Sequence, residues 1–246
     1  MIAAVLAVAL CAVSSPDNSI DRAVSPEASF ARFATYLLYG ESQNSLQGDY
    51  YRWDSYKFNN ELNVNDPSYW RTALSLLEKA VNNCENNPEL ANTSAMSNLQ
   101  NYYRNFLFFL KYHTVQESND EEIFDMYRSD GKDAALGYIN EIYAGIYVEG
   151  SSAASAYIEA MESAYQAMIE YIEYYASIGC MTDSGLNIGC SSLPNLDHVK
   201  LAELQRLIDT QAEDSKLVIQ DLQRALVSDC WNIYGQIRLV MEKDDE

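Results

Sequence analysis

Hydrophobic positions recur at intervals of three and four residues along most of the chain, the spacing that places them on one face of an α-helix. From Ala153 to Ile178 the apolar residues keep this spacing closely, and glutamates and a glutamine occupy the opposite face. No segment shows the alternation of apolar and polar residues that is typical of strands. The pattern predicts an all-α fold, an antiparallel helical bundle of about five to seven helices.

Capping residues followed by proline mark where helices are expected to begin. Ser25-Pro26, Asp66-Pro67 and Asn87-Pro88 each place a short polar side chain before a proline, which favours the first turn of a helix. The pattern from Asn119 to Val148 predicts one helix or a broken pair of helices, with Ser129-Asp130-Gly131 as the place of the break in the second case. The last pattern runs from Asp197 to Lys243 and predicts one long helix or two in line.

The first residues have the pattern of an export signal. An apolar run from Met1 to Val13 is too short to span a bilayer and is followed by small residues, so a signal peptide over residues 1–14 is predicted. A buried N-terminal strand or helix is the alternative, since no basic residue precedes the run. The mature chain, residues 15–246, is then expected to be one helical domain in the extracellular space.

Export changes the interpretation of the cysteines. Removal of Cys11 with the leader leaves Cys84, Cys180, Cys190 and Cys230, an even set that predicts two disulfides stapling the bundle. Four cysteines allow three pairings. The favoured pairing joins Cys180 to Cys190 across a short loop and leaves Cys84 to pair with Cys230.

The chain is strongly acidic, with 36 acidic and 16 basic residues and a net charge of −20. Nucleic acids and anionic membranes are therefore disfavoured as partners. Beyond the leader, no segment is apolar for long enough to predict a membrane span.

Residue patterns that indicate catalysis or metal binding are missing from the sequence. Its two histidines, His113 and His198, belong to no recognisable metal-binding or nucleophile motif, and no phosphate-binding glycine loop is present. We therefore expect a protein that is not an enzyme and needs no metal or cofactor.

Tyrosine is the enriched residue, with 19 copies. Its amphipathic ring suits an adaptable binding surface or a ligand cavity, and it equally suits ordinary helix packing. A line of glutamates, Glu159, Glu162, Glu170 and Glu173, could likewise collect Ca²⁺, a basic peptide or an amine, or form a solvated face.

Two further sites are predicted from local sequence. Asn92-Thr93-Ser94 is a glycosylation sequon, which would be used on Asn92 if that turn is exposed after export. Bulky apolar and aromatic residues would line the interior if the bundle held a ligand: Phe106, Phe109, Tyr157, Met161 and Met168.

The export leader, the acidic Tyr-rich helices and the late cysteine in Leu226-Val-Ser-Asp-Cys-Trp231 resemble the secreted helical insect proteins grouped around the tsetse EP protein. The biochemical activity of that group is unknown, so the resemblance carries over no functional residue. The sequence thus predicts a secreted, non-enzymatic protein that binds an extracellular protein. The alternative is a carrier of a small apolar ligand held between the helices.

Overall fold

The structure is a computed structural model of the 246-residue chain, and it describes residues 24–39, 67–115, 119–182, 185–186 and 196–242. Within these ranges the chain forms seven helices and one very short hairpin. The helices are α1 (Pro26–Tyr39), α2 (Pro67–Glu85), α3 (Ser94–Val115), α4 (Asp120–Asp130), α5 (Lys132–Ile146), α6 (Ser152–Ser177) and α7 (His198–Met241). Strands β1 (Met181–Thr182) and β2 (Gly185–Leu186) pair antiparallel between α6 and α7.

The predicted all-α bundle is confirmed, and side-chain caps explain several of its helix starts. Ser25 Oγ accepts a hydrogen bond from Ala28 N at 3.2 Å before α1. Asp197 Oδ1 accepts from Lys200 N at 2.9 Å before α7. Such caps satisfy backbone N–H groups that have no partner within the helix.

The helix predicted to open at Asn87-Pro88 begins later, at Ser94. Asn87 does act as a cap, since its Oδ1 accepts from Leu90 N at 3.2 Å, but it closes only a turn. Thr93 then caps α3, since its Oγ1 accepts a hydrogen bond from Met96 N at 3.2 Å. Leu90 is fully buried, so the turn between the two caps is held by packing, and the chain changes direction there instead of continuing as a helix.

Of the two alternatives for Asn119 to Val148, the structure has the broken pair, with the break at Gly131. Its φ of +88° lies in a region that residues with a side chain rarely adopt, and it separates α4 from α5. The long C-terminal pattern forms one continuous helix of 44 residues, which spans about 66 Å.

Helices α1, α2, α3 and the C-terminal half of α7 form a four-helix square. Neighbouring helices in the square are α1 with α2, α2 with α3, α3 with α7, and α7 with α1. α2 and α3 are antiparallel, since Trp70 contacts Phe109 at 4.8 Å between ring centroids and Gln100 bonds Glu85 near the other end. The core of the square contains fully buried phenylalanines: Phe30, Phe33, Phe106, Phe108 and Phe109.

Two smaller cores continue the bundle along α6. The second core joins α4, α5 and α6 around Ile123, Ile139 and Ile169. The third packs the end of α6 against the start of α7, through Tyr175 and Leu201. α6 and α7 therefore link the four-helix square to the shorter helices, because each extends past the square.

The predicted disulfide between Cys84 and Cys230 is wrong, since both are buried free thiols. Cys84 lies in α2 and Cys230 in α7, which occupy opposite corners of the square. Adjacent helix axes lie about 8–10 Å apart, so opposite corners are about 11–14 Å apart. A disulfide requires Cα atoms within about 7 Å. Cys180 is buried and disulfide-bonded; Cys190 lies outside the described residues, so the pairing of these two stays a prediction.

We expect the thiols of Cys84 and Cys230 to be unreactive toward a thiol reagent in the folded protein. Burial raises the pKa of Cys84 to about 12, and burial raises that of Cys230 further. The thiolate is the reactive form, and it is scarce at neutral pH. Counting thiols with and without guanidinium, in the absence of reductant, should give none in the folded protein and both after unfolding. A count of zero after unfolding would instead indicate a disulfide.

The predicted leader, residues 1–14, lies outside the described residues. Among the helices that the structure describes, none combines the length and apolar character needed to cross a bilayer.

Candidate functional site

The residues predicted to line a ligand cavity are divided between two cores. Phe106 and Phe109 are buried in the four-helix square, where Trp70 packs edge-on against both at 5.9 and 4.8 Å. Met161 and Met168 pack on the second core. Tyr157 lies at the boundary and contacts Phe108 at 5.7 Å. The structure therefore does not bring the five together around one space.

The described tyrosines mostly pack inside the bundle. Tyr69 donates a hydrogen bond to Leu37 O at 2.6 Å, and Tyr102 donates to Leu226 O. Tyr147, 48% exposed, is the exposed tyrosine among the side chains that can be placed. Of the two interpretations of the tyrosine content, the structure favours helix packing over a tyrosine-rich binding surface.

One group of tyrosines gathers where α3, α5 and α6 meet. Tyr112 contacts Tyr157 at 5.2 Å, and Tyr143 contacts Tyr165 at 5.8 Å. Desolvation raises the pKa of Tyr165 to about 12. These rings fill the space between the three helices, so the group is part of the packed interior, with phenol hydroxyls among its apolar atoms.

The glutamate line on α6 is partly occupied by other side chains. Glu173 pairs with Lys132 at 2.9 Å, and Glu170 accepts from Gln166 at 3.4 Å. No cluster of three or more His, Cys, Asp or Glu side chains suited to a metal ion occurs among the described residues. The structure thus assigns no ligand to this face.

The remaining predicted residues lie at the surface. Asn92 is exposed in the turn before α3, as the sequon requires. His113 lies edge-on to Phe109 at 4.4 Å, near the C-terminus of α3. His198 is exposed in the first turn of α7.

A polar groove between α3 and α7 is the candidate site. It has a volume of about 240 Å³ and opens to solvent. Its floor is apolar and buried, formed by Tyr102, Leu222, Leu226 and Ile233. Its rim carries carboxamides and one carboxylate from the two helices: Asn98, Asn101 and Asn105 on α3, and Asp229, Asn232 and Gln236 on α7.

Helix geometry explains how the rim forms. Asn98, Asn101 and Asn105 are three and four residues apart, which places them on one face of α3. The rim residues of α7 have the same spacing. The two helices run antiparallel, since Asn98 Nδ2 donates to Gln236 Oε1 at 2.8 Å and Tyr102 bonds Leu226 further along. The two polar rows therefore face each other across the groove.

The ends of the groove are closed by hydrogen bonds. Asn98 and Gln236 bond across one end. At the other end Asn105 Oδ1 accepts from Ser151 Oγ at 2.9 Å and from Ala153 N at 3.3 Å. Ser151 is itself the cap of α6, accepting from Ala154 N at 3.0 Å. These bonds fix the side chains at both ends and give the groove a defined length.

The middle of the groove keeps its polar groups available. The side chains of Asn101 and Asn232 make no hydrogen bond within the described part of the chain. Asp229 makes no ion pair there, and its Oδ1 accepts one hydrogen bond, from the adjacent Ser228 Oγ at 3.5 Å. Arg224 and Arg238, which flank the groove on α7, pair with Asp221 at 3.0 Å and Glu242 at 2.6 Å. Neither arginine therefore neutralises Asp229.

Sequence analysis did not identify this groove. The signal that could have found it was present, since three asparagines share one helical face of α3. That face becomes part of a groove only when the second polar row of α7, more than 120 residues later, lies beside it.

A second groove, of about 550 Å³, lies between α6 and the start of α7. Glu170, Asp197 and Glu203 make it acidic, and Lys200 lies 5.9 Å from the Tyr174 ring. Its lining residue Asp197 follows residues 187–195 in the sequence, and those residues lie outside the described part of the chain, so the groove between α3 and α7 is the better defined of the two.

No family model, characterised protein or solved structure matches the chain. The resemblance to the tsetse EP-like proteins therefore stays a prediction, and the function must be argued from the geometry of the site.

Proposed function

We propose that the chain is a secreted, non-enzymatic protein that binds an extracellular partner through the groove between α3 and α7. The observation that carries the proposal is the set of polar groups in the middle of the groove, Asn101, Asn232 and Asp229, above an apolar floor. Binding sites commonly combine an apolar surface with a few converging polar groups.

The chemistry of the lining supports binding over catalysis. Carboxamides donate and accept hydrogen bonds, but they do not take up or release protons near neutral pH. Tyr102, the one phenol of the groove, donates to a backbone carbonyl of α7. Asp229 is then the one remaining titratable group among the described lining residues, and general acid–base catalysis would need it to be positioned on a reacting atom.

The proposal is tested by blocking the groove. Replacing Ala225, a half-buried residue of its wall, by tryptophan should fill the groove and abolish binding of ligands found in a screen of tripeptides and methyl glycosides. NMR of the ¹⁵N-labelled protein, following the side-chain amides of Asn101 and Asn232, measures the binding. Alanine to tryptophan at exposed Ala212, elsewhere on α7, is the matched control and should change nothing.

Ligands that bind Ala225→Trp as well as the unaltered protein would contradict the proposal. So would turnover of a peptide, ester or glycoside by the purified protein. Circular dichroism of both tryptophan variants checks that the helices persist.

The carrier function remains the alternative. Mass spectrometry of an organic extract of the protein secreted from eukaryotic cells tests it directly. A stoichiometric apolar compound would favour the carrier over the proposed surface binding. The mass of the intact chain in the same sample shows whether residues 1–14 have been removed and whether Asn92 carries a glycan.

A further inference from the structure

We propose that the groove between α3 and α7 binds an extended, arginine-containing polypeptide segment of an extracellular partner. In this arrangement Asp229 receives the guanidinium, and Asn101 and Asn232 bond the main chain beside it. This inference rests on the proposed function and adds the chemistry of the ligand.

The length of the groove fits a short extended peptide. Asn98 and Asn105, whose side chains close its two ends, are seven residues apart, or about 10 Å along the axis of α3. An extended chain advances about 3.3–3.6 Å per residue, so about three residues fit between them. A helix, which is about 10 Å wide, would not enter a groove of about 240 Å³.

The polar groups of the rim match a peptide backbone. Each residue of an extended segment presents one N–H and one C=O that lose water on binding and need partners. A carboxamide supplies a donor and an acceptor from one side chain. Asn101 and Asn232 lie on opposite walls of the groove, so a segment lying between them can bond to both sides.

The carboxylate of Asp229 favours a positively charged group in the ligand. Asp229 is exposed and lies among uncharged side chains of the groove, while the flanking arginines of α7 are paired elsewhere. Arg104 of α3 lies against Gly150, in the turn before α6. A guanidinium offers five N–H groups in a plane, enough to bond the carboxylate of Asp229 and the carbonyl oxygen of Asn232 together.

The net charge of the whole chain also favours a basic ligand. A net charge of −20 attracts basic segments and repels acidic ones over the distance that salt leaves unscreened. A saccharide is the less favoured occupant. Tyr102, the aromatic residue of the lining, is only 4% exposed and offers no ring face on which a sugar could stack.

The test is a titration of the ¹⁵N-labelled full chain with acetyl-Gly-Arg-Gly-amide. The side-chain amide signals of Asn101 and Asn232 should shift with a Kd in the millimolar range, about 1 mM, as expected for so small a ligand. The citrulline peptide has the same shape without the charge, and it should bind at least about tenfold more weakly, since hydrogen bonds to charged groups are roughly twice as strong.

A matched pair of variants isolates the role of Asp229. Asp229→Asn should weaken binding of the arginine peptide about tenfold, whereas Asp214→Asn, the same charge change at an exposed site of α7 outside the groove, should leave it unchanged. Equal weakening by the two variants would overturn the inference, because long-range charge would then explain the binding.

Two further outcomes separate this inference from the proposed function. If a methyl glycoside, but no arginine peptide, shifts the signals of Asn101 and Asn232, the ligand chemistry is wrong and the groove remains a binding site. If no probe in the screen shifts these signals, both proposals fail.

Discussion

Replacing Phe106 by alanine is expected to lower the free energy of unfolding by about 3–5 kcal/mol, the range for removing a buried phenylalanine ring. Phe106 is 0% exposed, and it contacts Phe33 at 5.8 Å and Trp70 at 5.9 Å. The rings come from α1, α2 and α3, so the substitution loses contacts between three helices and leaves a cavity at their junction. Urea unfolding followed by circular dichroism measures the change.

A matched substitution shows whether the loss comes from the core. Phe124, on α4, is half-buried and belongs to no core cluster of the described residues. Phe124→Ala removes the same atoms, and we expect a loss below about 1.5 kcal/mol because less apolar area leaves the interior. If the two variants unfold at the same urea concentration, Phe106 does not have the central position described here.

Alkaline pH is expected to unfold the protein cooperatively as its buried tyrosines ionise. Burial is the largest cause that raises the pKa of ten described tyrosines. The rise is large at six of them: Tyr69, Tyr102, Tyr143, Tyr157, Tyr165 and Tyr171. The folded state therefore favours the neutral phenol more strongly than the unfolded state does. For Tyr165 and Tyr171 the folded pKa is about 12, against an ordinary value of 10.0.

The direction of the pH effect follows from these values. Below pH 10.0, the ordinary tyrosine pKa, both states are neutral and the full stability is present. As pH rises from there toward about 12, the unfolded state loses protons that the folded state retains, and stability falls. One residue shifted as far as Tyr165 accounts for on the order of 3 kcal/mol. A few such residues together reach the stability of a typical domain, about 5–15 kcal/mol.

Near-ultraviolet absorbance of tyrosinate and far-ultraviolet circular dichroism, recorded across one pH series, test this prediction. We expect the main absorbance rise and the loss of helix to coincide. Tyr147→Phe, which removes the titratable hydroxyl of an exposed tyrosine, should leave the midpoint in place. Tyrosines that titrate gradually near pH 10 in a chain that stays helical would show that the rings are more accessible than the structure places them.

The helices themselves were largely predictable from the sequence. A cap followed by proline marks the start of α1, Gly131 separates α4 from α5, and the apolar stripes of α6 and α7 identify both as long helices. These features depend on residues within one or two turns of each other. Local side-chain and backbone preferences are therefore enough to determine them.

The start of α3 shows where local signals stop being sufficient. Asn87-Pro88 is a good helix opening in isolation, and Asn87 does cap a turn. Burial of Leu90 in the core between α2 and α3 turns the chain before a helix can form, and Thr93 supplies the second cap. Packing of Leu90 therefore determines that the helix begins after Thr93 and not after Asn87.

What the sequence by itself determined is the class of the protein: an acidic, Tyr-rich bundle of amphipathic helices with most of its boundaries. Only the tertiary structure decided that Cys84 and Cys230 stay apart, because they belong to helices at opposite corners of the square. It also placed Asn101 opposite Asp229 and Asn232. Both outcomes depend on which helices become neighbours. Packing between whole helix faces determines the neighbours, and the spacing of residues along a single helix does not predict it.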